Sequence, residues 1–182
     1  MQRLLSLLAL CLSLAACAPE APVGTIDTAP FFDLSGYISQ EVERLETAKT
    51  KVEKTITLNG VVETKQLDDI NFSNDLRLFR EADINKPAWI EKYTTEEQTL
   101  SGSHSITTYM AQDSNLIVRR LMVEKDVGVT IRIEIDRKTG TVLSDGQHQL
   151  VYQPGKGYWV KTQQTNRFGD DVDAVIQVGW IQ

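Results

Sequence analysis

The second half of the chain alternates between apolar and polar residues and is interrupted at short intervals by turn residues. The clearest stretch runs from Val129 to Arg137. Its apolar residues are expected to share one side of a strand; they are Val129, Ile131, Ile133 and Ile135. Such alternation leaves one face of a sheet buried and the other in water, as antiparallel sheets allow. This pattern restricts the fold to one built on an antiparallel sheet.

Turn-forming residues separate the predicted strands. The predicted turns are Ser101–Ser103, Gln112–Asn115, Asp126–Gly128, Lys138–Gly140, Pro154–Gly157 and Gly169–Asp171. Asp145 and Gly146 form either another turn or a bulge within a longer strand. Because short turns place successive strands side by side, we expect a meander.

An Asn59–Gly60 pair lies between two further β-prone runs, Thr55–Leu58 and Val61–Lys65. Both central residues of the favoured two-residue hairpin turns need a positive φ, and Asn-Gly is the sequence that tolerates it best. The pair therefore predicts a hairpin ahead of the meander.

Two helices are predicted in the first half of the chain. Apolar residues recur at helical spacing before the hairpin; they are Leu34, Ile38, Val42, Leu45 and Val52. Asp33 is the expected N-cap of this helix. A second, shorter helix is predicted from Asn74 to Ala82, with Ser73 as its cap. Its expected buried residues are Leu76, Leu78 and Phe79.

These elements predict an α+β fold. Its centre is one long, curved antiparallel sheet, a meander whose curvature can reach that of a half-barrel. The N-terminal helix and the second short helix pack on this sheet. With 41% hydrophobic and 24% charged residues in a chain of 182, there is enough apolar surface for one core. We therefore expect a single α+β domain over residues 31–182.

The first residues have the pattern of a secretory signal. A single positive charge, Arg3, precedes a short apolar run that ends at Ala16. The run is shorter than the roughly 20 residues that a membrane-spanning helix needs. Pro19 and Pro22 follow directly and would break a buried helix. Residues 1–16 are therefore expected to be a cleaved signal peptide.

The Leu-Ala-Ala-Cys sequence at residues 14–17 resembles the lipobox of bacterial lipoproteins. The resemblance implies cleavage between Ala16 and Cys17, and a diacylglycerol on the Cys17 thiol together with a fatty acyl chain such as palmitate. Cys11 follows a bulky leucine and does not fit this motif. Since these are the only two cysteines, the mature chain has no partner for a disulfide. The alternative is an unmodified secreted protein with a stray cysteine.

Residues 17–30 are expected to form a lipidated cysteine and an extended tether, since prolines recur there and large apolar residues are few. Two or three acyl chains anchor a protein stably, because each buried methylene contributes about 0.8 kcal/mol. The residue after the cysteine is Ala18, which resembles outer-membrane lipoproteins rather than those retained in the inner membrane by an acidic residue. The expected location is the bacterial cell envelope, in contact with the periplasm, with the outer membrane favoured over the inner membrane.

The charge of the chain excludes one class of partner. Loss of the signal removes Arg3 and no acid, so Lys plus Arg falls from 19 to 18 against 25 Asp plus Glu. The net charge thus changes from −6 to −7. An acidic domain without a basic patch is a poor ligand for nucleic acid, so no nucleic-acid partner is expected.

No catalytic, metal or cofactor motif stands out. His104 and His148 lie in separate predicted strands and lack the spacing of zinc ligands. The Ser-Gly-Ser sequence at 101–103 is not a nucleophile elbow, and the Gly-Lys-Gly sequence at 155–157 is not a phosphate loop. The sequence therefore predicts a protein that is not an enzyme and that has no cofactor.

Two functions follow from these observations. The first is a non-catalytic cell-envelope lipoprotein, an accessory or partner-binding domain tethered to a membrane and bound to another envelope protein. The alternative is a carrier or sensor of an apolar ligand, a lipid or acyl chain, in the concave side of the sheet. The aromatic residues that would form its ligand face are Tyr109, Tyr152, Tyr158, Trp159 and Trp180. Core packing is the competing interpretation for these residues.

Overall fold

A computed structural model describes residues 29–181 of the chain. The helical segments are α1 (Leu34–Thr47), α2 (Phe72–Asp75), α3 (Arg77–Arg80) and a 3-10 helix (Pro87–Lys92). The strands are β1 (Lys51–Leu58), β2 (Val61–Leu67), β3 (Tyr93–Ser101), β4 (His104–Ala111), β5 (Val118–Asp126), β6 (Val129–Gly140), β7 (Ser144–Gln153), β8 (Gly157–Asn166) and β9 (Val172–Ile181). The predicted signal peptide, Cys17 and most of the predicted tether lie outside the described residues.

All of these strands belong to one nine-stranded sheet with the order β2-β1-β9-β8-β7-β6-β5-β4-β3. Every pair of neighbours is antiparallel. From β3 to β9 each strand pairs with the next one along the chain. The β1–β2 hairpin, which turns at Asn59–Gly60, extends this sheet because β1 pairs with β9. The predicted α+β class and antiparallel meander are confirmed. The sheet is curved and open, with β2 and β3 as its two edges.

Helix α1 begins where the sequence predicts. The Asp33 carboxylate accepts a hydrogen bond of 2.8 Å from the Gly36 backbone N–H, and so caps the helix. The helix ends at Thr47, because Lys49 adopts a positive φ of 49° and turns the chain towards β1. Val52 therefore lies in β1 and not in the helix, although it is fully buried, as its spacing from the other apolar residues suggested.

The second predicted helix, Asn74 to Ala82, is wrong in its bounds. Two short helices, α2 and α3, occupy the region, and Leu76 between them departs from helical geometry with φ −91° and ψ 8°. The N-cap of α2 is Asn71 rather than Ser73, since its side chain accepts from the Asn74 N–H at 2.8 Å. Leu76 and Phe79 are fully buried as predicted.

The predicted turn at Lys138–Gly140 is also wrong, because β6 continues to Gly140. The chain reverses at residues 141–143, where the Thr141 hydroxyl accepts hydrogen bonds from the backbone N–H groups of Leu143 and Ser144. Asp145 and Gly146 lie within β7.

The alternation at the start of β6 is reversed by a bulge. Glu124 of β5 pairs with Arg132, whereas the next residue, Lys125, pairs with Thr130. Because of the extra residue, the side chains that precede it in β6 point to the opposite face of the sheet from the one that the alternation predicts. Val129 is consequently 65% exposed and Thr130 is buried, the opposite of the prediction.

The helices all pack on one face of the sheet, which we call the covered face. Its buried strand residues include Leu121, Ile133, Ile135, Leu150, Tyr152 and Val160. The opposite face, which we call the open face, has no helix of the described residues against it and carries the alternate strand residues, among them Glu134, Trp159 and Gln177. The core is thus the layer between the helices and the covered face.

Candidate functional site

Four of the five aromatic residues proposed for an apolar-ligand face lie on the covered face. Tyr152 is fully buried, and Tyr109 and Tyr158 are nearly so. Trp180 is half-buried and packs against the same core. Each comes from a strand whose alternation points it towards the helices. The rings of Tyr152 and Tyr158 both lie close to that of Trp180, with centroid distances of 6.4 and 6.0 Å. Tyr109 lies apart from these three on β4 and packs against Phe31.

Helix side chains occupy the space in front of Tyr152, Tyr158 and Trp180, which we call the aromatic cluster. The Phe79 ring of α3 packs edge-on against Tyr152 and Tyr158, with centroid distances of 5.9 and 5.8 Å. The Phe72 ring of α2 contacts Trp180 in the same way at 5.9 Å. Edge-to-face pairs at these distances are favourable packing arrangements. The aromatic cluster is therefore part of the core.

The tyrosine hydroxyl groups of the cluster tie the helices to the sheet. Tyr152 donates a 2.7 Å hydrogen bond to the Glu41 carboxylate of α1, and Tyr158 donates to the Asp75 carboxylate of α2. Lys54 of β1 reaches the same Asp75 at 2.9 Å. Burial and the adjacent carboxylates raise the pKa of both tyrosines far above the usual 10. These hydroxyls stay protonated and serve as structural donors.

Trp159 is separated from the other four residues. It follows Tyr158 directly in β8, and adjacent strand residues point to opposite faces. Its side chain therefore lies on the open face, where it is half-buried beside its cross-strand partners Val151 and Gln177. The five residues do not form one surface.

The two histidines make separate local contacts. The His104 Nε2 atom lies 2.7 Å from a carboxylate oxygen of Glu124, and the ring of His148 contacts two threonine hydroxyls. Burial and the nearby charge of Arg137 lower the pKa of His148. Within residues 29–181, no three His, Cys, Asp or Glu side chains lie close enough together to hold a metal ion.

The charged side chains of β5 and β6 on the open face neutralise each other. Arg120 contacts Asp136 at 2.7 Å and Glu134 at 2.9 Å, and Arg132 contacts Glu134 at 2.7 Å. Burial disfavours the ionised form of Glu134, but the two guanidinium groups outweigh it and lower its pKa. A carboxylate held in this way is a poor proton donor or acceptor near neutral pH.

Large apolar side chains are exposed at one end of the sheet. They lie in or directly beside the connections β1–β2, β8–β9 and β6–β7, which lie side by side because their strands are neighbours. Val142, Phe168 and Val61 are 84%, 78% and 73% exposed. We call this surface the apolar rim; its members are Leu58, Val61, Val62, Val142, Leu143 and Phe168.

Hydrogen bonds between the three connections hold the apolar rim in place. The Arg167 N–H donates to the Leu143 carbonyl at 2.8 Å, which joins the β8–β9 and β6–β7 connections. The Asn59 N–H donates to the Asp173 carbonyl at 2.8 Å, and the Asp173 N–H donates back to the Asn59 side chain at 2.8 Å. The exposed apolar side chains thus project from a linked scaffold.

Exposed carboxylates flank the apolar rim. Asp145 follows Leu143 closely in β7, and Asp170 and Asp171 lie in the same connection as Phe168. Asp173 begins β9 beside the β1–β2 turn. Arg167 is the basic residue of this connection. The rim therefore combines an apolar centre with a predominantly negative border.

The apolar rim was not predicted from the sequence, although the sequence contains a signal for it. Phe168 lies next to Gly169 in a predicted turn, where an aromatic residue is unusual. Val142 and Leu143 follow the predicted Lys138–Gly140 turn, and the misplaced turn assigned them to a strand. Only the sheet order brings the connections together.

No protein-family model matches the chain, and no curated protein or solved structure is significantly similar to it. No helix within residues 29–181 is long and apolar enough to span a membrane.

Proposed function

We propose that the chain is a non-catalytic, lipid-anchored domain of the bacterial cell envelope that binds a protein partner through the apolar rim. The observation that carries the proposal is the grouping of six exposed apolar side chains on three linked connections. The lipobox resemblance at residues 14–17 supplies the anchor and the location.

Exposed apolar residues scattered singly need no explanation, but a contiguous group of them marks an interaction surface. Burial of one large apolar side chain in an interface contributes about 1.5–3 kcal/mol. Phe168 is the largest member of the apolar rim and is 78% exposed. It therefore has the character of an interface anchor, because aromatic residues dominate the energetic centres of interfaces.

The negative border favours a protein partner over a bilayer surface. Anionic lipids repel carboxylates, and Asp145, Asp170, Asp171 and Asp173 lie close to the apolar side chains. A protein partner can place lysine or arginine opposite these residues and an apolar patch opposite Phe168. Such complementarity steers association and selects the partner.

The packing of the covered face supports partner binding over the alternative of an apolar-ligand carrier. A carrier needs an open apolar cavity, whereas Phe72 and Phe79 fill the space before Tyr152, Tyr158 and Trp180. The ion pairs of Arg120 with Glu134 and Asp136 support the proposed absence of catalysis, because these charges are already paired with one another.

Photocrosslinking in living cells tests the proposal. Phe168 is replaced by a photoreactive phenylalanine analogue in the full-length chain, and Val127 is replaced in a matched control. Val127 is 74% exposed, and it lies in the β5–β6 turn at the opposite end of the sheet. We expect one discrete protein adduct from position 168 and none from position 127.

The adduct should disappear when Val142→Asp is introduced as a second change, because a charge in the apolar rim opposes its burial. Equal crosslinking from positions 168 and 127, or adducts with lipid alone from position 168, would contradict the proposal. Retention of the adduct in the Val142→Asp variant would contradict the assignment to the rim.

A further inference from the structure

A groove with a volume of about 360 Å³ crosses the open face over strands β1, β9, β8 and β7. It lies towards the end of the sheet opposite the apolar rim. Its side-chain lining consists of one aromatic ring, the aliphatic side chain of Val151 and several polar groups. The principal members besides Val151 are Trp159, Glu53, Gln153, Lys156, Gln177 and Thr55. The groove is within the size range of ligand sites.

Two cross-strand glycines create the space. Gly157 of β8 pairs with Gly179 of β9, and Gly179 pairs on its other side with Glu53 of β1. Gly157 is required by the backbone, because its φ is +143° and a Cβ would lie 1.9 Å from the Val178 carbonyl oxygen. No atom lies within 4 Å of a Cβ built on Gly179. Backbone geometry therefore does not explain Gly179, and its missing side chain leaves the groove open.

Apart from Thr55, whose hydroxyl lies 2.9 Å from that of Thr64, the polar side chains of the groove are not used by the fold. Within residues 29–181, the side chains of Glu53, Gln153, Lys156 and Gln177 form neither a hydrogen bond nor an ion pair with another side chain or with the backbone. This contrasts with the paired charges of β5 and β6 on the same face. One carboxylate, one ammonium and two amides offer a mixture of donors and acceptors with no net charge.

This set of groups matches a neutral ligand with many hydroxyl groups. A hydroxyl both donates and accepts, as the two amides do, so it satisfies either kind of partner. The face of an aromatic ring is electronegative and attracts the polarised C–H groups on the apolar side of a sugar ring. Trp159 supplies an indole beside Gln177 and Thr55. Because Glu53 and Lys156 balance each other, the groove gives no net attraction to an anion or a cation, and a hydrocarbon would leave the polar groups unsatisfied.

The groove continues along the molecule. A second depression of about 500 Å³ shares Gln153 and Lys156 with it and extends past Pro154 to Ile131 and Arg132. Together the two depressions cross strands β1, β9, β8, β7 and β6, which is four inter-strand spacings or roughly 19 Å. This length suits a chain of linked units better than a single small molecule.

We propose that the open-face groove at Gly179 and Trp159 binds a neutral saccharide chain. The site goes beyond the proposed function and does not depend on it, because the groove and the apolar rim share no residue. The envelope predicted from residues 14–17 is a compartment in which such a ligand is accessible.

Titration calorimetry with the full-length chain in detergent tests this proposal. The probes are cellotetraose, chitotetraose and maltotetraose, which are all uncharged. Gly179→Val fills the groove with a β-branched residue that a strand accommodates well, and Trp159→Ala removes the ring. Gln163→Ala is the matched control, because Gln163 lies in β8 on the same face but outside the groove.

We expect the unsubstituted chain to bind at least one probe. Binding should shift the indole N–H resonance of Trp159 in NMR spectra. Gly179→Val and Trp159→Ala should each weaken binding about tenfold or more, the loss expected for one stacking contact. Gln163→Ala should bind normally. The melting temperature of Gly179→Val should not fall below that of the unsubstituted chain, which separates a blocked site from a damaged fold.

Absence of binding to all three probes would overturn the proposal. So would binding that is unchanged in Gly179→Val. A proline-rich decapeptide serves as a competing probe, and binding of this peptide alone, sensitive to Gly179→Val, would reassign the groove to peptide recognition.

Discussion

The same substitution at two phenylalanines separates a core role from an interaction role. Phe79 is fully buried between the rings of Tyr152 and Tyr158, whereas Phe168 is 78% exposed in the apolar rim. Phe79→Ala removes a buried ring and leaves a cavity, which typically costs about 3–5 kcal/mol. Phe168→Ala removes a ring that the fold does not use, so its effect on the free energy of unfolding should stay within about 0.5 kcal/mol.

The difference is large enough to measure directly. The free energy of unfolding of a typical domain is only about 5–15 kcal/mol, and 1 kcal/mol shifts the melting temperature by about 2–4 °C at this size. Phe79→Ala should therefore lower the melting temperature by about 6–20 °C, and Phe168→Ala by about 2 °C or less. Urea titration and thermal melts followed by circular dichroism provide the two readouts.

Either of two results would refute this reasoning. A loss below about 1 kcal/mol for Phe79→Ala would mean that the space between helices and sheet is loosely filled, and the carrier alternative would gain support. A loss of stability at Phe168 comparable to that at Phe79 would mean that the apolar rim is part of the fold rather than an interaction surface.

Three further predictions concern pH, glycine and the anchor. Burial opposes the ionised forms of Glu41 and Glu134, but hydrogen bonds from arginine side chains outweigh it and lower both pKa values below the ordinary 4.5. The stability that these groups contribute is complete above pH 4.5 and is lost as the pH falls through the lowered pKa values. The urea concentration at the unfolding midpoint, measured from pH 6 to pH 3, should therefore decline below pH 4.5. The decline should be less steep in a Glu41→Gln variant. Gly157→Ala should lower the free energy of unfolding by about 1–3 kcal/mol, because the backbone conformation at this position excludes a side chain. Gly179→Ala should leave the free energy of unfolding unchanged. Equal losses for the two variants in urea titrations would contradict the steric argument. Cys17→Ser should release the protein from membrane pellets on fractionation, and continued pelleting would argue against the lipid anchor.

Local signals in the sequence were sufficient for most of the fold. The positive-φ requirement of Asn59–Gly60 and the capping carboxylate of Asp33 act over a few residues, so they can be recognised without tertiary context. The bulge in β6 could not be recognised in this way, because it depends on how Thr130 and Arg132 register against β5. The Thr141 turn was hidden for a related reason, since the more obvious glycine at 140 lies inside the strand.

The candidate sites depended more strongly on tertiary structure. The sequence favours burial of Tyr152 and Tyr158 over their use as a ligand face but allows both, and the positions of Phe72 and Phe79 distinguish the two. The groove at Gly179 was also invisible in the sequence. Its Gly157 neighbour and its polar lining come from four strands that only the sheet order places side by side.

The two proposed binding surfaces can be occupied together. Gly179 lies seven residues along β9 from Val172, which borders the apolar rim, and a strand rises about 3.4 Å per residue. The Gly179 end of the groove is therefore roughly 24 Å from the rim along that strand, whereas Thr55 at its other side lies three residues, roughly 10 Å, from Leu58 in β1. A protein bound at the rim would leave the Gly179 end of the groove accessible to a saccharide chain.

Cysteine labelling in intact cell envelopes tests the central claim most directly. The sequence has cysteines only at positions 11 and 17, so Phe168→Cys and Val127→Cys each introduce a single reactive thiol into residues 18–182. We predict that a maleimide reagent labels Phe168→Cys several-fold more slowly in envelopes than in the purified protein, while Val127→Cys reacts equally in both. Equal labelling of Phe168→Cys in envelopes and in the purified protein would contradict the assignment of the apolar rim as a partner-binding surface.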